Sequence, residues 1–425
     1  MTERKSFVYT KFYYLCHMKQ PTRIWLSMLL LMVSATVSTH AQSDSVEISL
    51  LTCAPHHEVY ALYGHTAIRI RDSHTGTDVA VNYGIFNFNK PHFVLKFIFG
   101  LTDYEMGIVP FDYFRQEYAA EGRQVVEQVL DLTPDEKRRV MEAVAINAMP
   151  ENKEYRYNFF YDNCTTRARD MIVNHLQGHV DYAEAKSAEP VSFRAMTHRY
   201  NENRRWSRFG NDLLLGIKAD RKTTVGERQF LPEQLMHDFD RAVVVGADGT
   251  QRLLVSRRRI VVEGSPTAMP VSELPMTPRH FGILILLTVV ILTWMERKGH
   301  NRWQVDAVLM GVTGLAGIVL LAMVFSKHPT VNLNLQILVL NPLTLIFVYP
   351  VIKRVRQRRS HVFWSIAIVL ILCFFMGNAV QDYAEGMNFL ASSLLIRCLA
   401  NRWRLRTTAQ TEISNIKLKA KEMLP

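Results

Sequence analysis

Cysteine is scarce in this chain, five in 425 residues, and the five are scattered at positions 16, 53, 164, 373 and 398. That excludes a disulfide framework. No cysteines or histidines stand at the close spacing of a zinc site, so neither a metal nor another cofactor is expected. Arginine is missing in a patterned way: in the last third, alternate intervals between apolar runs hold clusters of Lys and Arg while the others hold almost none. The formal charge of +11 is therefore not gathered on one surface, as nucleic-acid binding needs. It is parcelled out between hydrophobic runs, as membrane topology needs.

What is present divides the chain in two. Residues 42–263 are mixed and polar, a proline-punctuated linker covers 264–278, apolar runs dominate 279–400, and a basic tail closes 401–425. The runs fall at about 280–295, 305–325, 335–351, 361–379 and 386–400. Bilayer crossing takes about 20 residues, so the pattern predicts an all-α transmembrane bundle of about five helices. The last is short and carries Arg397.

With residues 42–263 outside, the inner loops hold Arg297, Lys298 and Arg302, then Lys353, Arg354, Arg356, Arg358 and Arg359, then Arg402, Arg404 and Arg406, whereas the outer loops hold only Lys327. This is the asymmetry of an exported domain. Residues 1–41 agree: Lys19 and Arg23, an apolar stretch, then Ala41 have the layout of a secretory signal peptide, with Met18 an alternative start and an uncleaved anchor the other reading.

In the polar part, VEISLLTCA reads as a strand, and YALYGHTAIRIRD and VAVNYGIFNF read as a hairpin with His65 and Asn82 on its two arms. PHFVLKFIFG is too short to span a bilayer; it reads either as a buried helix or as a lipid-facing lip. Residues 111–149 read as helical, with Thr133-Pro134-Asp135-Glu136 marking a helix start. A helix follows Cys164 and ends near Gly178, residues 181–240 read as loop-rich and basic, and RAVVVGADGTQRLLVSRRRIVVEG reads as a hairpin around Gly246-Ala247-Asp248-Gly249. The soluble part is thus α+β.

Its chemistry centres on Asn163-Cys164-Thr165-Thr166. A cysteine at a helix start sits among free backbone N–H groups and the positive end of the helix dipole, which depress its pKa and offer an oxyanion site. His65 is the candidate base and Asn82 the candidate third residue that holds the imidazole. Histidine before cysteine reverses the papain order, so a papain-like site here implies circular permutation. The topology also brings the outer loops FSKHPTVNLNLQ and AVQDYAEGMN to the side of Cys164. That makes His328, Asn332, Asn334, Asp382 and Glu385 secondary candidates, as solvated turns or as substrate contacts.

LLTCAPHHEVYALYGHTAIRI, NYGIFNF, YNFFYDNCTTRARD, GNDLLLGIKADR with FLPEQL, and HPTVNLNLQILVLNPL together resemble the Lnb family of bacterial lipoprotein N-acyltransferases, over nearly the whole chain beyond residue 41. The resemblance implies a circularly permuted papain-like domain similar to the lecithin:retinol acyltransferase group, with Cys164 as nucleophile, His65 as base and Asn82 as the third polar residue. Where the family usually reads glycine after the proline of its Cys-x-Pro segment, this chain has His56. The implied reaction moves a fatty acyl chain from a membrane phospholipid, through a Cys164 thioester, to the free α-amine of a diacylglyceryl-cysteine lipoprotein. It would occur at the periplasmic face of the bacterial inner membrane, with Asn163, Thr165, His328, Asn332 and Asn334 as candidate substrate contacts. A membrane-anchored cysteine hydrolase or peptidase of cell wall or lipid, and a scaffold with a degenerate enzyme domain, are the alternatives.

Overall fold

The computed structural model describes residues 45–403 apart from 59–60, 87–90, 183–188, 266–273 and 297–301. The expected signal segment, most of the linker, the tail beyond 403 and the inner-loop residues Arg297 and Lys298 lie outside the described residues.

The run VEISLLTC forms β1 (Val46–Cys53), buried along nearly its whole length. A strand covered on both faces must be central. β1 pairs on one side with β2 (His65–Asp72) and on the other with β5 (Val125–Leu130). β3 (Thr77–Ile85), β4 (Asp103–Pro110) and β6 (Glu154–Arg156) extend the sheet beyond β2, and β10 (Val255–Val262) closes it beside β5. Every one of these pairings is antiparallel. Alternating side chains feed two cores. Ile48, Leu50, Ile68, Ile70, Val79 and Val81 pack with Ala168 and Ile172 of the helix Cys164–Val173. Leu51, Ala67, Ala80 and Val125 pack under Phe111 and Phe114 of the helix Phe111–Ala120.

The β2–β3 hairpin and the Thr133 helix start stand as expected; Thr133 forms a full capping box with Glu136. The helical reading of 111–149 is too broad. Residues 125–130 form β5, in which all six side chains are buried, because three valines on a central strand bury better than they would on an amphipathic helix. The region 181–240 is also more ordered than expected, with helices Phe193–Tyr200, Arg205–Leu214, Val225–Arg228 and Pro232–Asp240. Arg194 explains much of this. It is wholly buried and gathers Asp212 at 2.9 Å and Asp220 at 2.6 Å, joining three loop-rich stretches that share no local periodicity. Around Gly246–Gly249 the hairpin is present as β8 (Val243–Val245) and β9 (Gln251–Leu253), joined in a small sheet by β7 (His179–Asp181).

Five helical segments follow the linker among the described residues. Three stretches are long and apolar enough to cross a membrane: Pro278–Met295, Trp303–Val324 and Leu335–Arg356. Phe363–Gly377 is a shorter apolar helix, and a further helix covers 387–403. Arg397 does not disqualify that last one. Its guanidinium meets Asp306 at 2.7 Å and Glu296 at 2.7 Å, both carboxylates buried, so the charge is paired inside the bundle.

At the opposite end the soluble domain is bonded to the two outer loops. Gln336 Nε2 donates to Asp212 O (2.9 Å), Asn334 Nδ2 to Leu213 O (2.8 Å) and Gln381 Nε2 to Leu215 O (3.1 Å). Gly216 and Ile217 donate their backbone N–H groups to Thr330 O and Leu333 O, and Arg205 pairs with Glu385 at 2.9 Å. The stretch GNDLLLGIK is therefore a docking segment.

Candidate active site

Cys164 occupies the first position of its helix, and the sequence around it explains why the helix begins there. Asn163 is extended and its Oδ1 accepts from Thr165 N and Thr166 N, while Thr166 Oγ1 accepts from Asn163 N. This is a reciprocal capping box built on asparagine. Asn163 Nδ2 donates in turn to Phe159 O and Phe230 O, fixing the helix start to the aromatic cluster below it. The cap takes the second and third N–H groups and leaves the N–H of Cys164 itself uncapped. A developing oxyanion beside Sγ would meet that group.

His65 enters from the first residue of β2. Gly64 makes the entry possible: its φ is +84°, and a Cβ there would stand 2.6 Å from Cys53 O. In the hairpin register Asn82 lies opposite Ala67, so it meets His65 diagonally. His65 Nε2 donates to Asn82 Oδ1 at 3.0 Å, which leaves Nδ1 for the thiol. The His65 imidazole and the Cys164 thiol each shift the other's titration, the histidine favouring the thiolate and the thiolate the charged imidazole.

Burial alone would push the Cys164 thiol up. The His65 charge and hydrogen bond, the Thr66 backbone N–H and the Thr165 hydroxyl outweigh it and bring the pKa down to about 7. For His65, burial works against the charged imidazole, but the Cys164 thiolate and Asn82 raise its pKa above the ordinary histidine value. Both shifts favour the charged form of each group beside the other.

Thr165 is buried and accepts from Thr66 Oγ1 at 3.1 Å, with its own Oγ1 3.8 Å from Cys164 Sγ. Asn163 and Thr165 thus adjoin Cys164, and their polar atoms are engaged within the domain. Asn334 is buried and committed to Leu213, Gln336 and Gln381, whereas His328 Nε2 contacts Phe97 O at 3.1 Å and Asn332 is half-buried. Asp382 is exposed on the outer loop that carries Glu385. Among the described residues no three His, Cys, Asp or Glu side chains gather as metal ligands.

Two neighbours of Cys164 were not singled out by the sequence. Gly84, at φ +87°, brings backbone alongside: a Cβ there would lie 3.6 Å from Cys164 Cβ and 3.9 Å from the Tyr155 hydroxyl. Tyr155 is buried under the guanidinium of Arg167, 3.6 Å above its ring. The signal for both was weak: a glycine inside a strand pattern, and one tyrosine in a run rich in aromatics.

A helix-start cysteine beside a strand histidine thus lies on an α+β domain bonded to the outer loops of an apolar helical bundle, the layout of a membrane protein with an extramembrane domain. Family models agree with both halves: residues 35–199 match the Lnb N-terminal periplasmic domain and residues 270–408 the Lnb transmembrane domain. The chain belongs to the Lnb family. No curated protein and no solved structure matches it.

Proposed function

We propose that the chain is a lipoprotein N-acyltransferase, a multi-pass protein of the bacterial inner membrane with its catalytic domain in the periplasm. The observation that carries this reading is Cys164 at a capped helix start beside a strand histidine held by Asn82, on a domain hydrogen-bonded to the loops of a membrane bundle. Family membership supports it, and so does the placement, which suits two substrates anchored in one leaflet.

In the first half-reaction the Cys164 thiolate attacks an ester carbonyl of a phospholipid, and the Cys164 N–H stabilises the oxyanion. The C–O bond breaks, the His65 imidazolium gives its proton to the departing glycerol oxygen, and a thioester and a lysophospholipid result. In the second, the neutral α-amine of a diacylglyceryl-cysteine attacks the thioester carbonyl. His65, now neutral, takes the amine proton as the C–S bond breaks, which restores the thiolate–imidazolium pair and leaves an amide. Asn82 holds the imidazole throughout.

The full chain in bilayers holding an alkyne-tagged phospholipid tests this. The expected product on wild type is a hydroxylamine-labile adduct at Cys164, absent from Cys164→Ala. Mass spectra of lipoprotein N-termini from cells depending on the chain should show a third, amide-linked acyl group. Diacylated termini with a free amine, together with released free fatty acid, would overturn transfer in favour of hydrolysis.

A further inference from the structure

The short helix Phe93–Ile98 turns apolar side chains outward. Leu95 is 55 % exposed, Phe97 44 % and Leu101, just beyond, 41 %. On a water-facing surface such a cluster is unusual, and its position says what covers it. Lys327 N donates to Phe99 O at 2.9 Å, and His328 Nε2 contacts Phe97 O at 3.1 Å. Both partners follow directly on the spanning helix Trp303–Val324, whose next residue, Phe325, is itself 70 % exposed. The apolar surface of the short helix therefore continues the lipid-facing surface of the bundle at its outer rim.

The other side of the same turn is fastened to the approach to the nucleophile. Arg156 Nη1 donates to Gly100 O and Tyr157 N to Thr102 O. Tyr157 stacks on Tyr104 with centroids 4.1 Å apart, Tyr104 packs on Phe86 at 5.0 Å, and Phe86, Tyr157 and Cys164 all pack against one core cluster. Phe86, Tyr104 and Tyr157 thus form an aromatic wall that shares its core cluster with Cys164.

We propose that the segment 93–101 is a lip inserted among the acyl chains of the outer leaflet, and that it feeds a lipid chain along the Phe86–Tyr104–Tyr157 wall to Cys164. The insertion stands by itself; the feeding role rests on the acyl-transfer reading. Side chains of this kind settle at the headgroup–acyl boundary, about 5–10 Å deep.

The test uses the full chain in phosphatidylethanolamine–phosphatidylglycerol nanodiscs, with Cys16→Ser, Cys164→Ser and Cys373→Ala so that a new cysteine is the accessible thiol. An NBD probe at Leu95→Cys should emit blue-shifted and be quenched by 5-doxyl phosphatidylcholine as strongly as one at Phe325→Cys. A probe at Leu253→Cys, 57 % exposed on β9 of the small sheet, should stay water-like. Water-like, unquenched emission at position 95 would overturn the lip. In the native-cysteine background, Leu95→Gln with Phe97→Gln should slow phospholipid acylation of Cys164 by about tenfold while iodoacetamide reacts with Cys164 at the wild-type rate. Unchanged acylation would overturn the feeding role. Absence of acylation in wild type would sink the acyl-transfer reading and leave the quenching result standing.

Discussion

Cys53 and Cys164 belong to one domain and differ in chemistry. Cys53 stands opposite His65 in the β1–β2 register and is 1 % exposed. Burial pushes its thiol up to about 12, and Arg123 and Tyr118 offset only part of that. Cys164 is half-buried, and burial pushes its thiol up as well, yet the His65 charge beside it outweighs that and the thiol falls to about 7. The two thiols thus differ in exposure and, above all, in having an imidazole beside them: His65 offsets the burial of Cys164, and nothing comparable offsets that of Cys53.

Removing the imidazole should erase the contrast. In His65→Ala the Cys164 alkylation midpoint is expected to move from near 7 to above the ordinary thiol value of 9.0, since burial is then unopposed. Iodoacetamide reactivity at pH 7 should fall by about fiftyfold or more, the thiolate dropping from half the population to a per cent or less. A midpoint still near 7 would mean that the helix start, not His65, sets the thiol.

A partial loss is expected from Asn82→Ala. Nε2–H loses its acceptor while the imidazole stays, so acylation should drop about tenfold, as fits a hydrogen bond of about 1.5 kcal/mol to a charged group. The alkylation midpoint should rise less than in His65→Ala, and Asn82→His, which keeps an acceptor nitrogen at this position, should retain much of the rate. Asn163→Ala strips the cap and its two anchoring bonds; thermal unfolding should report a loss of about 1–2 kcal/mol. Its alkylation midpoint should rise slightly. The smallest change belongs to Cys53→Ala: a cost of about 1 kcal/mol for a small cavity and an unaltered alkylation profile.

The parts of this site that were legible in the sequence are those whose signals are local. Asn-Cys-Thr-Thr announces a helix start within four residues, and the alternation around His65 announces a strand. β5 was hidden because its valines sit between two genuine helices, and only pairing with β1 and β10 makes them a strand. Asn334 looked like a residue facing substrate because polar groups at a membrane face have few other uses. Its partner is a backbone carbonyl 121 residues away, and Gln381 in the other outer loop reaches one 166 residues away; no window along the chain contains either pair. Arg194 escaped for the same reason: its two acids mark a buried node only once the chain has returned to it.

The Arg397 clamp bears on how the protein is made. Its carboxylates belong to the segment around the first two spanning helices, Glu296 and Asp306, while the guanidinium that neutralises them belongs to the last described helix. During synthesis both acidic groups are thus made about a hundred residues before their counter-charge is translated. A chain stalled before that helix would lack the guanidinium that neutralises both acids.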